Sequence, residues 1–164
     1  MKKTLLTLTM FVASIAIVSS QTILLEDFES GALPTGWTRT QNTPSAGWEF
    51  GTSTAMSSQY WPIPAHTKIA ASNDDKHDNT AATQNLANLD FLISPSMDFS
   101  VLGSVFMEFA VFFDGQYGST AHVKVSTDAG LTWTNLSTLT AQSTWQTLVV
   151  NLSAYASNND VMVA

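Results

Sequence analysis

The stretch Val105-Phe106-Met107-Glu108-Phe109-Ala110-Val111-Phe112-Phe113 decides the fold class. Its odd positions, Val105, Met107, Phe109, Val111 and Phe113, are all apolar, while Glu108 and Ala110 interrupt the other set. Successive side chains of a strand point to opposite faces, so this period of two places one face against a packed layer. The pattern recurs downstream. Val123, Val125 and Thr127 alternate with His122, Lys124 and Ser126, which are expected to face away, and Leu148, Val150 and Leu152 alternate after Trp145.

Upstream the runs are shorter. Trp48-Glu49-Phe50 and Lys68-Ile69-Ala70-Ala71 are strand candidates, and Leu89-Asp90-Phe91-Leu92-Ile93 is an apolar run that Pro95 ends. Thr22-Ile23-Leu24-Leu25 reads as a first strand that runs into the acids Glu26, Asp27 and Glu29. Gly, Pro, Asn and Asp separate all these runs at short intervals, and residues 21–164 carry no helical stripe. Several short strands with loop-rich connections predict an all-β chain folded as an antiparallel β-sandwich. At the end of the chain, Asp160-Val161-Met162-Val163-Ala164 reads as a strand entering the core, with Val161 and Val163 on one face. A chain that stops inside a buried strand leaves backbone groups short of partners, so one or more C-terminal strands are expected to be missing.

Composition removes several function classes. The 164 residues include no Cys, which excludes a disulfide scaffold, a thiolate metal site and a cysteine nucleophile. With 6 Lys+Arg against 13 Asp+Glu, the net charge of -7 argues against nucleic acid, whose phosphates are neutralised by clustered Lys and Arg. Residues 1–20 read as a signal peptide. Lys2 and Lys3 form the positive start, an apolar run follows, and Val18-Ser19-Ser20 supplies small residues for cleavage. The run is too short for a membrane span and lacks a basic stop-transfer flank. The expectation is an exported protein, secreted or held at the cell surface, with residues 21–164 as one domain and no span in it.

Three motifs carry possible chemistry. Asp27-Phe28-Glu29-Ser30-Gly31, followed by Pro34-Thr35-Gly36-Trp37, offers either carboxylate ligands for a hard cation or a strand end with solvated acids around core aromatics. Asn73-Asp74-Asp75, with Asp78 and Asp90, gathers oxygen ligands on irregular backbone of the kind Ca²⁺ tolerates, without EF-hand spacing. Together they give an expected Ca²⁺ site of Glu29, Asn73, Asp74, Asp75 and Asp90. Ser126-Thr127-Asp128-Ala129-Gly130-Leu131-Thr132-Trp133 matches an Asp-box, read here as a turn signature: Asp and Gly fill the turn and Trp packs beneath it. The chain has no Gly-x-Ser-x-Gly, His-Glu-x-x-His, Gly-x-Gly-x-x-Gly or P-loop. His66, His77 and His122 lack metal spacing, and nothing in the sequence places Glu49 beside Glu108 as a glycosidase would require. No catalytic residue is assigned.

In their order along the chain, these pieces resemble the cleaved-adhesin or choice-of-anchor J family, exported modules related in shape to MAM domains. The matching segments are Glu26-Asp27-Phe28-Glu29-Ser30-Gly31, Pro34-Thr35-Gly36-Trp37, Gly47-Trp48-Glu49-Phe50-Gly51, Ala70-Ala71-Ser72-Asn73-Asp74-Asp75, Asp90-Phe91-Leu92-Ile93-Ser94-Pro95, residues 125–133, and Trp145-Gln146-Thr147 with Val150-Asn151-Leu152-Ser153-Ala154-Tyr155. The resemblance implies a jelly-roll-like sandwich, calcium at loop carboxylates, no catalytic residues, and type IX secretion through a separate C-terminal sorting domain. It implies an adhesion module for extracellular protein or glycan ligands. The alternative is an accessory domain of a secreted peptidase or glycosidase whose catalytic part lies outside this chain. Tyr60, Trp61 and Tyr117 are candidate ligand contacts, because aromatic rings stack on sugars and fill hot spots; they serve equally as loop residues folded back on the core.

Overall fold

A computed structural model describes residues 21–40, 47–73, 75–77 and 89–164. The strands are β1 (Thr38–Arg39), β2 (Trp48–Thr52), β3 (Lys68–Ser72), β4 (Leu92–Ile93), β5 (Phe106–Val111), β6 (His122–Ser126), β7 (Thr134–Thr138), β8 (Gln146–Asn151) and β9 (Met162–Val163). Among the described residues, helix is limited to one four-residue turn, α1 (Ser53–Met56), and three short 3-10 turns. Every ladder among the described residues is antiparallel: β1 with β4, β2 with β3, β5 with β8, and the three strands β7-β6-β9. The chain is an all-β antiparallel sandwich.

Alternation explains the main pair. Along β5 and β8 each second residue turns inward, so Met107, Phe109 and Val111 share a face with Leu148 and Val150, as the sequence pattern requires. Opposite them, Val123 and Val125 of β6 and Val163 of β9 are buried. One core fills the gap between the two layers, formed by Phe99, Val105, Val125, Leu152, Val161 and Val163, with Met97, Met107, Leu136 and Val150 packed around it. The pairing is nested: β6 pairs with β7 inside the pair β5 and β8. A long hairpin folded over onto two layers has that connectivity, which is the jelly-roll pattern.

The strand β9 and the residue before it pack into this core. Val161 is fully buried, and its N–H and C=O both bond Met97, while Ser94 N–H donates to Val163 O at 2.9 Å. The residues after β4 therefore run beside β9 and join the β1–β4 pair to the three-stranded sheet. In β7, a bulge opposite Val123 and Lys124 skips Leu136, and that side chain turns onto the core.

A second, smaller core lies under β2 and β3. Met56, Ile63, Ile69 and Ala71 are buried there, and Trp61, Phe112 and Trp145 wall it. Trp61 stacks on Phe112 at 6.0 Å, and Trp145 Nε1 donates to Pro64 O at 3.0 Å.

Two local expectations are corrected. Residues 22–25 form no strand: no described strand ladders with them, Leu25 is 84% exposed, and the acids that follow bend the chain instead. Ser126 does not face away. It is buried at the end of β6, where its hydroxyl organises the next turn. Residues 1–20, Asp74 and Asp78 lie outside the described residues.

Candidate functional site

The loop between Glu26 and Gly31 is built by its own acids. Glu26 Oε1 accepts the Phe28 N–H at 2.7 Å, and Asp27 Oδ1 accepts the Glu29 N–H at 3.0 Å. These bonds hold Phe28 at φ 57, a left-handed conformation that costs a bulky residue energy. Packing compensates. The Phe28 ring meets Trp37 edge-on at 5.5 Å and Phe50 at 6.0 Å, and the Arg39 guanidinium lies 5.9 Å over the other ring of that trio, Phe50. Glu29 is then aimed at the start of β3. Its Oε1 accepts from the Thr67 hydroxyl and from Lys68 N–H at 3.3 Å, while Lys68 Nζ donates to the Glu29 carbonyl at 2.7 Å.

The other expected calcium ligands stand at the opposite end of β3. Asn73 is buried, with Nδ2 donating to Met56 O at 2.7 Å and Oδ1 accepting Lys76 N–H at 3.3 Å. Asp75 opens the 3-10 turn Asp75–His77. Asp90 Oδ2 accepts the Ser72 hydroxyl at 3.1 Å, and its backbone carbonyl accepts Trp48 Nε1 at 3.1 Å. Lys68 and Ser72 are four residues apart on the strand, a span of about 13 Å. Glu29 is thus separated from Asn73, Asp75 and Asp90, which share one end of β3. Among the described residues, no three His, Asp or Glu side chains converge closely enough to hold a metal ion.

The Asp-box forms the turn its residues predict. Asp128 Oδ1 accepts the Ser126 hydroxyl at 2.7 Å and Thr132 N–H at 2.9 Å, while Oδ2 accepts the Thr132 hydroxyl at 2.6 Å. Gly130 N–H donates to Ser126 Oγ at 2.9 Å. Ala129 and Gly130 take φ 56 and 79, and Trp133 lies under the turn against Phe91 at 5.7 Å. The Thr132 and Ser126 hydroxyls, with the Thr132 N–H, hold the Asp128 carboxyl down to about 2. This carboxylate is committed to the turn.

The remaining candidates are dispersed. Tyr60 is exposed, whereas Trp61 belongs to the wall of the smaller core. The Tyr117 and His77 side chains lie outside the described set. Glu49 pairs with Lys76 at 3.4 Å, and Glu108 sits on the outer face of β5 opposite Val149. His66 rests on Trp145 at 4.7 Å, and His122 Nδ1 lies 3.0 Å from Thr138 Oγ1. Sequence reasoning missed a cleft of about 210 Å³ between the inner faces of β5 and β8 and the end of β7. Its only sequence trace is Ser137-Thr138-Leu139-Thr140-Ala141-Gln142, an uncharged run of hydroxyls and an amide.

No protein-family model and no curated protein matches the chain. Among solved structures, a cleaved adhesin domain of Lys-gingipain from Porphyromonas gingivalis is similar, with a TM-score of 0.52 and 19% identity over 84% of each chain. At that identity the likeness is one of fold: this chain has the β-sandwich fold of an adhesin domain.

Proposed function

We propose that the chain is a non-catalytic extracellular binding module for protein or glycan ligands. The fold likeness to a cleaved adhesin domain carries this reading. The disposition of the acids supports it: Glu49 is engaged by Lys76 and Glu108 projects from a sheet face, so neither is arranged as one half of a hydrolytic pair. No described helix is long and apolar enough to cross a membrane, and the character of residues 1–20 fits export by a cleaved signal peptide. The experiment is capture of the purified protein on arrayed glycans and on purified extracellular matrix proteins. Saturable binding to at least one of them is expected; uniform failure on both sets overturns the reading. The accessory-domain alternative draws on one observation, that the similar structure is itself a domain of a named larger protein.

Calcium stabilisation is part of the proposal. The proposed ligands are Asn73, Asp74, Asp75 and Asp90: Asn73 and Asp75 follow the end of β3, where Asp90 accepts the Ser72 hydroxyl, while Glu29 stands at the other end beside Lys68. Acids brought together repel, and a cation binding only the folded state adds about 2.7 kcal/mol at a free concentration 100 times its Kd. Thermal melting in calcium against chelator is expected to show a higher Tm with calcium for the parent and for Glu29→Gln, and no difference for Asp90→Asn. Equal melting of the parent in both conditions removes calcium from the account.

A further inference from the structure

The geometry points to a binding cleft for a neutral sugar ring at one end of the sandwich, between the inner faces of β5 and β8 and the outgoing end of β7. It rests on the binding-module reading above and names the ligand class and the site. The cleft encloses about 210 Å³. That is below the ~300–1,000 Å³ of pockets for drug-sized ligands and suits a single ring.

Its chemistry has two parts. Val111, Phe113 and Leu148 form a half-buried apolar floor. Ser137, Thr140 and Gln142 form the rim, and their side chains make no hydrogen bond with any described residue. Three uncommitted polar groups above an apolar, partly aromatic floor complement a sugar, which offers C–H on its faces and hydroxyls on its edges.

Charge selects among ligands. The chain carries a net charge of -7, yet among the described residues no charged side chain lines the cleft. An ionic ligand would give up hydration there without a counter-charge, whereas a neutral ring exchanges one set of hydrogen bonds for another.

The rim is also held in place before any ligand arrives. Gln142 N–H donates to Phe113 O at 2.7 Å, and Leu139 N–H donates to Ala121 O at 2.8 Å. Gly115 sits at φ 64, and a Cβ there would meet Ala141 Cβ at 2.8 Å, so only glycine lets the loop after Phe113 abut the loop carrying Gln142. A fixed rim reduces the ordering cost of binding.

The test is amide-shift NMR of the whole protein titrated to tens of millimolar with methyl β-galactoside, methyl α-glucoside, methyl α-mannoside and methyl N-acetyl-β-glucosaminide, and with sialic acid as a charged comparison. At least one neutral glycoside is expected to shift the amides of Phe113, Thr140 and Gln142, while sialic acid leaves them in place. Gln142→Ala and Thr140→Ala, both at exposed rim positions, are expected to keep the parent Tm and to weaken that glycoside about tenfold each, the loss of one hydrogen bond. The inference is overturned if no neutral glycoside moves these amides, or if both variants bind as the parent does. Its failure is distinguishable from that of the binding-module reading: a silent cleft beside parental capture on the arrays, unchanged in Gln142→Ala, overturns the cleft alone.

Discussion

The two cores of this molecule are built by different rules. The larger one, around Phe99, Val125 and Val161, is filled by strands whose alternation is written in the sequence. The smaller one, around Met56, Ile63 and Ile69, takes its residues from one turn of helix, a proline-flanked loop and a single strand, and it is closed by an aromatic wall. That wall borrows Phe112 and Trp145 from the ends of β5 and β8. The difference teaches where periodicity stops being informative. A strand declares its buried face by its own spacing, whereas a loop-built core depends on contacts such as Trp145 with Pro64, 81 residues apart.

If the larger core holds the fold together, its largest side chain is the place to break it. Phe99 is 1% exposed, and its backbone bonds Asn158, Ser157 and Leu102. Phe99→Ala is expected to cost about 3–5 kcal/mol, measured by chemical denaturation. The smaller core offers the matching test. Ile69→Ala should cost about 2 kcal/mol, the low end for such truncations, because its aromatic rim can settle into the space. A loss at Ile69 equal to that at Phe99 would erase the distinction between the two.

The next prediction probes the junction that alternation misread. Ser126 follows the β6 pattern as an outward residue, but it closes the Asp-box from a buried position, binding Asp128 and Gly130. Ser126→Ala leaves those groups without their hydroxyl and should cost about 1–3 kcal/mol. A cost near zero would mean that Asp128 and Thr132 close the turn unaided.

The strands of the larger core were legible because each repeats a period of two over five or six residues; even Val161 and Val163 could be placed on one face. Residues 22–25 show the opposite. They are apolar enough to suggest a strand, but a strand needs a ladder partner, and local composition cannot name one. Glu29 failed to reach the other acids for a similar reason. Its loop was readable as an acidic turn, but which end of β3 receives it depends on Thr67 and Lys68 capturing the carboxylate. The cleft beside β7 left almost no trace, since its lining is drawn from separate segments brought together by the fold rather than from any one of them.

The smallest expected effect comes from Asp128. The hydroxyls of Thr132 and Ser126 and the N–H of Thr132 hold its carboxyl at about 2 in the folded protein, against about 3.9 for an unfolded chain. The folded state therefore prefers the ionised form. The stabilisation is fully present above about pH 5, where both states are ionised, and is lost as pH falls through 2 and the folded carboxyl takes up its proton. Asp98 titrates in the same direction, its carboxyl lowered by the Ser100 hydroxyl and N–H, so the parent's acid sensitivity alone does not isolate Asp128. The difference in denaturation midpoint between the parent and Asp128→Asn does. It is expected to stay flat from pH 7 to about 5 and then to narrow toward pH 2, where the native acid has lost its charge. A difference that holds constant down to pH 2 would show that the turn draws on Asp128 as a hydrogen-bonding shape, indifferent to its charge.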